Sequence, residues 1–227
     1  MIPSPWRAAA PTADEARKVV RRRRITVIAV LVIGASLQAY SLSRHPGDNA
    51  FYILTLAMAG VWTVGAALSG PLHLGRLPGS GPRYRRPVLL GVGVGLGVGA
   101  VFVIGGLVAR LIPPVREYIT AVLEFANQGA LPLIVFITVL NGLAEELFFR
   151  GALYSALGGH RPVLVSTAIY FVSVMAAGNP MLGFAAILLG TICALLRRMT
   201  GGVLAPMLAH FFWGLVMVLA LPPIFGL

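Results

Sequence analysis

The residues best suited to chemistry lie in one apolar stretch, Asn141-Gly-Leu-Ala-Glu145-Glu146-Leu-Phe-Phe-Arg150-Gly151. Ionisable groups are costly in an apolar medium, so charges embedded this way mark a functional site by default. On a helix Glu146 and Arg150 are four residues apart, in the favourable order for an ion pair. Glu145 falls on a neighbouring face, four residues after Asn141. One carboxylate can then be neutralised locally while the other stays available, which suits a general base. The bland alternative is a buried ion pair that only locks helices together. A second candidate is His210, within Leu208-Ala-His-Phe-Phe-Trp213. A lone histidine in an aromatic segment can also be a hydrogen-bonded packing residue. His45, His73 and His160 fall in loops or at span edges. Asn141, Thr167, Tyr170 and Ser173 read as interhelical hydrogen-bonding residues.

The elements that must position these groups are membrane helices. Of 227 residues, 58% are hydrophobic and 11% charged, against about 25% charged in a soluble domain. The expected fold is all-α, a polytopic bundle of about seven transmembrane helices. The spans are read at 25–42, 50–68, 88–112, 131–157, 163–177, 181–196 and 203–221, the fifth and sixth being short. Residues 1–24 read as a basic cytoplasmic tail and 25–227 as the membrane domain. The apolar stretch after the tail is long for a signal peptide and reads as an uncleaved span.

The net charge of +11 sits between apolar blocks rather than on a folded surface. That pattern points to membrane lipid as partner, not nucleic acid. Basic residues cluster in the tail (Arg17, Lys18, Arg21 to Arg24), after span two (Arg76, Arg83, Arg85, Arg86), around the end of span four (Arg150, Arg161) and after span six (Arg197, Arg198). The alternation puts the N-terminus in the cytoplasm and the C-terminus outside. Helix rise then sets His210 roughly 10 Å and Glu145 roughly 18 Å from the cytoplasmic face, comparable once tilt is allowed.

Span three carries glycines at 91, 93, 95, 97 and 99. Gly95-Leu-Gly-Val-Gly-Ala100 fits a loose dinucleotide fingerprint, but no strand precedes it. Close helix packing through Gly91/Gly95/Gly99 and Gly93/Gly97 is the better reading. Cys193, the single cysteine, reads as a small buried residue.

The block Glu145-Glu146-Leu-Phe-Phe-Arg150-Gly151 resembles the EExxxR motif of the CPBP (Abi) family of intramembrane endopeptidases, which includes the type II CAAX prenyl proteases. Arg198 to His210 resembles the family's last motif region, and the likeness covers about residues 130–222. It implies an intramembrane hydrolase acting on a peptide or protein substrate in or near a bacterial plasma membrane. Glu145 would be the general base, Glu146 and Arg150 would orient and balance it, and His210 would be the last-motif histidine. The resemblance allows either a divalent metal such as zinc, with His210 and Glu145 as its ligands, or no cofactor. Two positions depart from the pattern. Met175 stands where the middle motif, FxxxH, has histidine, and Gly214 where the last motif, HxxxN, has asparagine. These departures motivate a second reading, an inactive pseudo-protease that binds a peptide or lipid-linked partner. A third is a small ion or proton-coupled transporter using the intramembrane carboxylates.

Overall fold

The computed structural model describes residues 13–77, 85–159 and 161–227. Residues 1–12, Arg83 and His160 lie outside the described residues. Every regular element among the described residues is helical. They are α1 (Ala13–Leu42), α2 (Asn49–Ser69), α3 (Val88–Ala109), α4 (Pro113–Asn127), α5 (Leu131–Glu146), a π-helical stretch (Leu147–Leu153) continuing into α6 (Tyr154–Leu157), α7 (Pro162–Met175), α8 (Pro180–Thr200) and α9 (Leu204–Phe225). Six continuous helices are long and apolar enough to cross a membrane, counting Leu131–Leu157 as one, and α7 is a shorter apolar helix. The chain is a polytopic helical membrane protein.

Local signals fix the helix ends. Asp48 caps α2, its side chain accepting from the Ala50 amide at 2.9 Å. Asn179 caps α8 by accepting from Met181 and Leu182, while its Nδ2 donates to the Tyr118 carbonyl of α4. Gly201, with φ +70°, closes α8 in the left-handed region that glycine tolerates best. No side chain caps α9. Its first amides donate to a strap between α2 and α3: Val203 to the His73 carbonyl at 2.8 Å and Leu204 to that of Leu74 at 3.2 Å. Those amides would otherwise be among the orphan donors of a helix start.

Contacts between ends establish the crossings. Arg23 of α1 donates to the carbonyls of Ser69 and Pro71 after α2, and Arg24 to that of Ala156 at the end of α6. The Arg76 amide donates to the Thr200 carbonyl at the end of α8. The Arg23–Arg24 stretch of α1, the ends of α2, α6 and α8, and the start of α9 therefore share one face of the bundle. Ser41 bonds to Phe51 and Thr55 on the opposite face, where Asn179 also meets Tyr118. Although only 14 residues long, about 21 Å by helix rise, α7 runs from the first face to the second.

Three parts of the chain differ from the sequence reading. The first helix begins at Ala13, so the basic cluster at 21–24 falls in its third turn. Span three stops at Ala109, and the separate amphipathic helix α4 follows, keeping Arg116, Glu117 and Glu124 exposed and Leu123 buried. Span six is not short: α8 continues through Arg197 and Arg198 to Thr200. Arg197 explains how, since its Nε donates to the Arg150 carbonyl and its guanidinium lies 5.2 Å from the centroid of the Tyr154 ring. A long basic side chain can keep its stem in the helix while its head finds polar partners.

The glycine-rich face of α3 packs on α9, as its spacing predicts. A Cβ built on Gly91 would lie 2.8 Å from the Ala205 carbonyl oxygen, and one on Gly95 2.5 Å from that of Ala209. Gly93 and Gly97 meet nothing within 4 Å. Only the 91/95/99 stripe is used within the chain, and the second stripe is a correction to the sequence reading. Gly95→Ala should therefore destabilise the protein by about 1–3 kcal/mol through overpacking. Gly97→Ala should be neutral or slightly stabilising, because alanine is the better helix former. Thermal unfolding of both variants in detergent checks the opposite signs.

Candidate functional site

The motif helix α5 supplies two stripes of side chains. Thr138, Gly142 and Glu146 face α9. Gly142 leaves room for His210, whose Cδ2 would lie 2.9 Å from a Cβ there, and Gly214 sits opposite Thr138. Glu145, one position earlier than Glu146, faces α7. Adjacent residues on a helix point about 100° apart, so two neighbouring carboxylates enter different environments.

Glu146 is fully buried and tightly held. Its Oε1 accepts from Arg150 Nη1 at 3.1 Å and lies 2.9 Å from His210 Nδ1. Arg150, also fully buried, donates from Nη2 to the Gly190 carbonyl of α8 at 2.9 Å, and its guanidinium lies 4.6 Å from the centroid of the Tyr170 ring. Gly190 permits this approach, because a Cβ would come within 3.0 Å of both Arg150 Nη2 and Tyr170 Cδ1. The Glu146–Arg150 pair thus forms at the spacing expected from sequence. His210 joins it from the helix that the α3 glycines pull close.

Glu145 is held differently. Its Oε2 accepts a 2.7 Å hydrogen bond from the Tyr170 hydroxyl. Its Oε1 has no hydrogen bond among the described residues. Tyr170 is buttressed by Phe149, edge-on at 4.8 Å. Phe148 and Phe149 in turn pack on fully buried Trp62 of α2 at 4.5 and 5.2 Å. The two phenylalanines of the motif thus tie the site to the core, and one of them sets the position of the phenol.

Arg150 lies in the π-helical stretch, where the turn is wider than in an α-helix. Such turns recur at functional sites. Buried polar atoms without a hydrogen bond gather around the same place: Asn141 Oδ1, Glu146 Oε2, Arg150 Nε, Thr167 Oγ1 and, beside His210, Trp213 Nε1. Such atoms cost about 1–3 kcal/mol each when left unpaired. Their concentration at one place fits a site built to receive polar groups.

Met175, in the position of the expected histidine, ends α7 against Gly183 and Phe171. Tyr170, five residues earlier, reaches the carboxylate instead. Sequence reasoning treated Tyr170 as an interhelical hydrogen-bonding residue without finding its partner. The FFR portion of the motif was a signal, since it sets the aromatic wall behind the phenol.

The expected metal ligands do not form a metal-binding set. Among the described residues no group of three or more His, Cys, Asp and Glu side chains could hold a metal ion. His210 turns Nδ1 to Glu146, and one Glu146 oxygen is shared with Arg150. That leaves His210 Nε2 and the Glu145 carboxylate, whereas a catalytic zinc takes three protein ligands. Cys193, beside Glu146 and Arg150, is buried and points its thiol at the Pro206 carbonyl.

A membrane bundle with a buried Glu-Glu-Arg-His cluster narrows the class, and comparison with known proteins agrees with the motif. Residues 127–216 match the family described as type II CAAX prenyl endopeptidase Rce1-like. The match covers almost the stretch delimited by the motifs. Curated proteins and solved structures gave no match.

Removing one member of the buried pair leaves the other charge uncompensated. Arg150→Met should destabilise by about 3–5 kcal/mol. Combining it with Glu146→Gln should restore much of that loss. Thermal unfolding of the single and double variants in detergent measures the coupling.

Proposed function

We propose that the protein is an intramembrane endopeptidase in which Glu145 is the general base. The observation that carries this is the division of labour between adjacent carboxylates. Glu146 is neutralised by Arg150 and His210, while Glu145 is held through one oxygen and keeps the other free.

In the proposed reaction Glu145 takes a proton from water, and the water oxygen attacks the carbonyl carbon of a peptide bond. The proton then passes to the departing nitrogen as the C–N bond breaks, giving a carboxylic acid and an amine. Tyr170 holds Glu145 in place for both transfers. His210 presents its Nε2 edge to the substrate because Nδ1 is committed to Glu146. In its imidazolium form it balances the second carboxylate charge of the cluster, and Nε2–H donates to the developing oxyanion. No step is routed through a metal. The partners are membrane lipid and a peptide or protein segment in or near the bilayer, and the positive-inside pattern puts the arginine-rich face in the cytoplasm.

Proteoliposomes containing the purified protein would be assayed with quenched-fluorescent peptides, one set spanning the bilayer and one set carrying a prenylated cysteine. Glu145→Gln should lower kcat/KM by about 10²–10⁴-fold. Cleavage that survives this substitution rejects the assignment of Glu145.

One observation favours a second reading, a chamber that binds without cutting. Met175 and Gly214 bring no polar side chain to the places where the related motifs have histidine and asparagine. In that case the wild type is inert on every probe, and the double substitution Met175→His, Gly214→Asn gains hydrolysis.

A further inference from the structure

Asn141 is a buried polar side chain of the cluster that the proposed reaction leaves unused. We propose that it holds the attacking water against Glu145. This inference rests on the reading of Glu145 as the base.

Asn141 lies on α5 one turn before Glu145, and both are buried. Its Nδ2 donates to the Ile137 carbonyl at 2.8 Å. That bond fixes the amide orientation: a backbone carbonyl only accepts, so the NH₂ must face it and Oδ1 must face away. Oδ1 is enclosed and has no hydrogen-bond partner.

The chemistry of an amide oxygen limits what it can do there. An acceptor cannot stabilise an oxyanion, which needs donors. The Tyr170 hydroxyl is committed to Glu145 Oε2. Oδ1 accepts no hydrogen bond from the described residues and can take an O–H from a water molecule. Side chains four residues apart on a helix start about 5–6 Å apart at Cβ. One water molecule can bridge two acceptors at that spacing, donating one hydrogen to Asn141 Oδ1 and the other to the free oxygen of Glu145.

With both hydrogens engaged on α5, the lone pairs of the water face away from that helix, toward an incoming carbonyl carbon. Only the hydrogen on Glu145 moves, and Asn141 accepts a hydrogen bond throughout and no proton. Asn141 thus orients the nucleophile, while Tyr170 orients the base from the opposite oxygen. The Asn141 carboxamide is thereby assigned a different task from that of an oxyanion donor.

The test uses Asn141→Leu and Asn141→Asp beside Glu145→Gln in the same proteoliposomes. Leucine removes the acceptor at similar volume. A protonated aspartic acid can donate to the Ile137 carbonyl and still present an acceptor oxygen. Asn141→Leu should lower kcat by about 10- to 100-fold with KM within about twofold, the size of effect expected from a misplaced reactant. Asn141→Asp should keep at least about a third of kcat, since it restores the acceptor. Wild-type kcat in Asn141→Leu, with Glu145→Gln inactive, overturns the assignment and leaves the proposed function standing. Equal losses of kcat and of thermal stability in both Asn141 variants overturn it too, because a packing role would give that result. A wild type that turns over no probe overturns this inference together with the reading of Glu145.

Discussion

The architecture of the site depends on one constraint: two carboxylates and a guanidinium must be kept inside a bundle that lipid surrounds. Glu146 and Arg150 have no measurable exposure. Neither can be carried alone at that depth, because an unpaired buried charge costs several kcal/mol. Their partners come from separate helices. α9 brings His210, α8 brings the Gly190 carbonyl, and α7 brings the Tyr170 ring. The neighbouring glycines are consequences of this convergence. Gly142 admits the imidazole, Gly190 admits the guanidinium, and the stripe on α3 seats the backbone of α9.

The same constraint makes two identical side chains unequal. Glu146 is part of the scaffold: it is shared by a guanidinium and an imidazole and kept from solvent. Glu145, displaced by one residue, accepts its hydrogen bond from a phenol instead. A hydroxyl hydrogen bond orients a carboxylate without neutralising its charge. A scaffold carboxylate and an available carboxylate therefore follow from one dipeptide, because helical geometry sends neighbours to different helices.

Much of this was legible in the sequence. Apolar runs of helical length gave the spans, and Glu146 and Arg150 pair at the spacing read from the motif. The depth argument set His210 and the glutamates at comparable levels, and His210 touches Glu146. The Gly91/Gly95/Gly99 stripe does pack. What stayed hidden has physical reasons. Arg197 and Arg198 read as a loop because charge was taken to end a span, yet the Arg197 head is satisfied by the Arg150 carbonyl. The apolar face of α4 is short and interrupted by charges, so it resembled a connection. The π-helical turn carries no composition signal. The bond from Tyr170 to Glu145 joins residues 25 apart, and only tertiary packing reveals it.

Motif comparison and spatial comparison ask different questions of this site. A motif asks whether a given position carries a given residue, and by that measure Met175 and Gly214 are vacancies. Space asks whether a polar group reaches the carboxylate from α7. One does, from Tyr170, five residues before Met175 and therefore more than a turn deeper along the helix. On the α9 side, Gly214 faces Thr138, while Asn141 on α5 carries a buried amide oxygen without a partner. Polar groups near Glu145 thus come from different positions than the motif prescribes. Tyrosine supplies a hydroxyl donor that is neutral at physiological pH, where histidine would bring a titratable ring. What reaches Glu145 from α7 is thus a hydroxyl hydrogen bond, set in place by the aromatic wall of the motif.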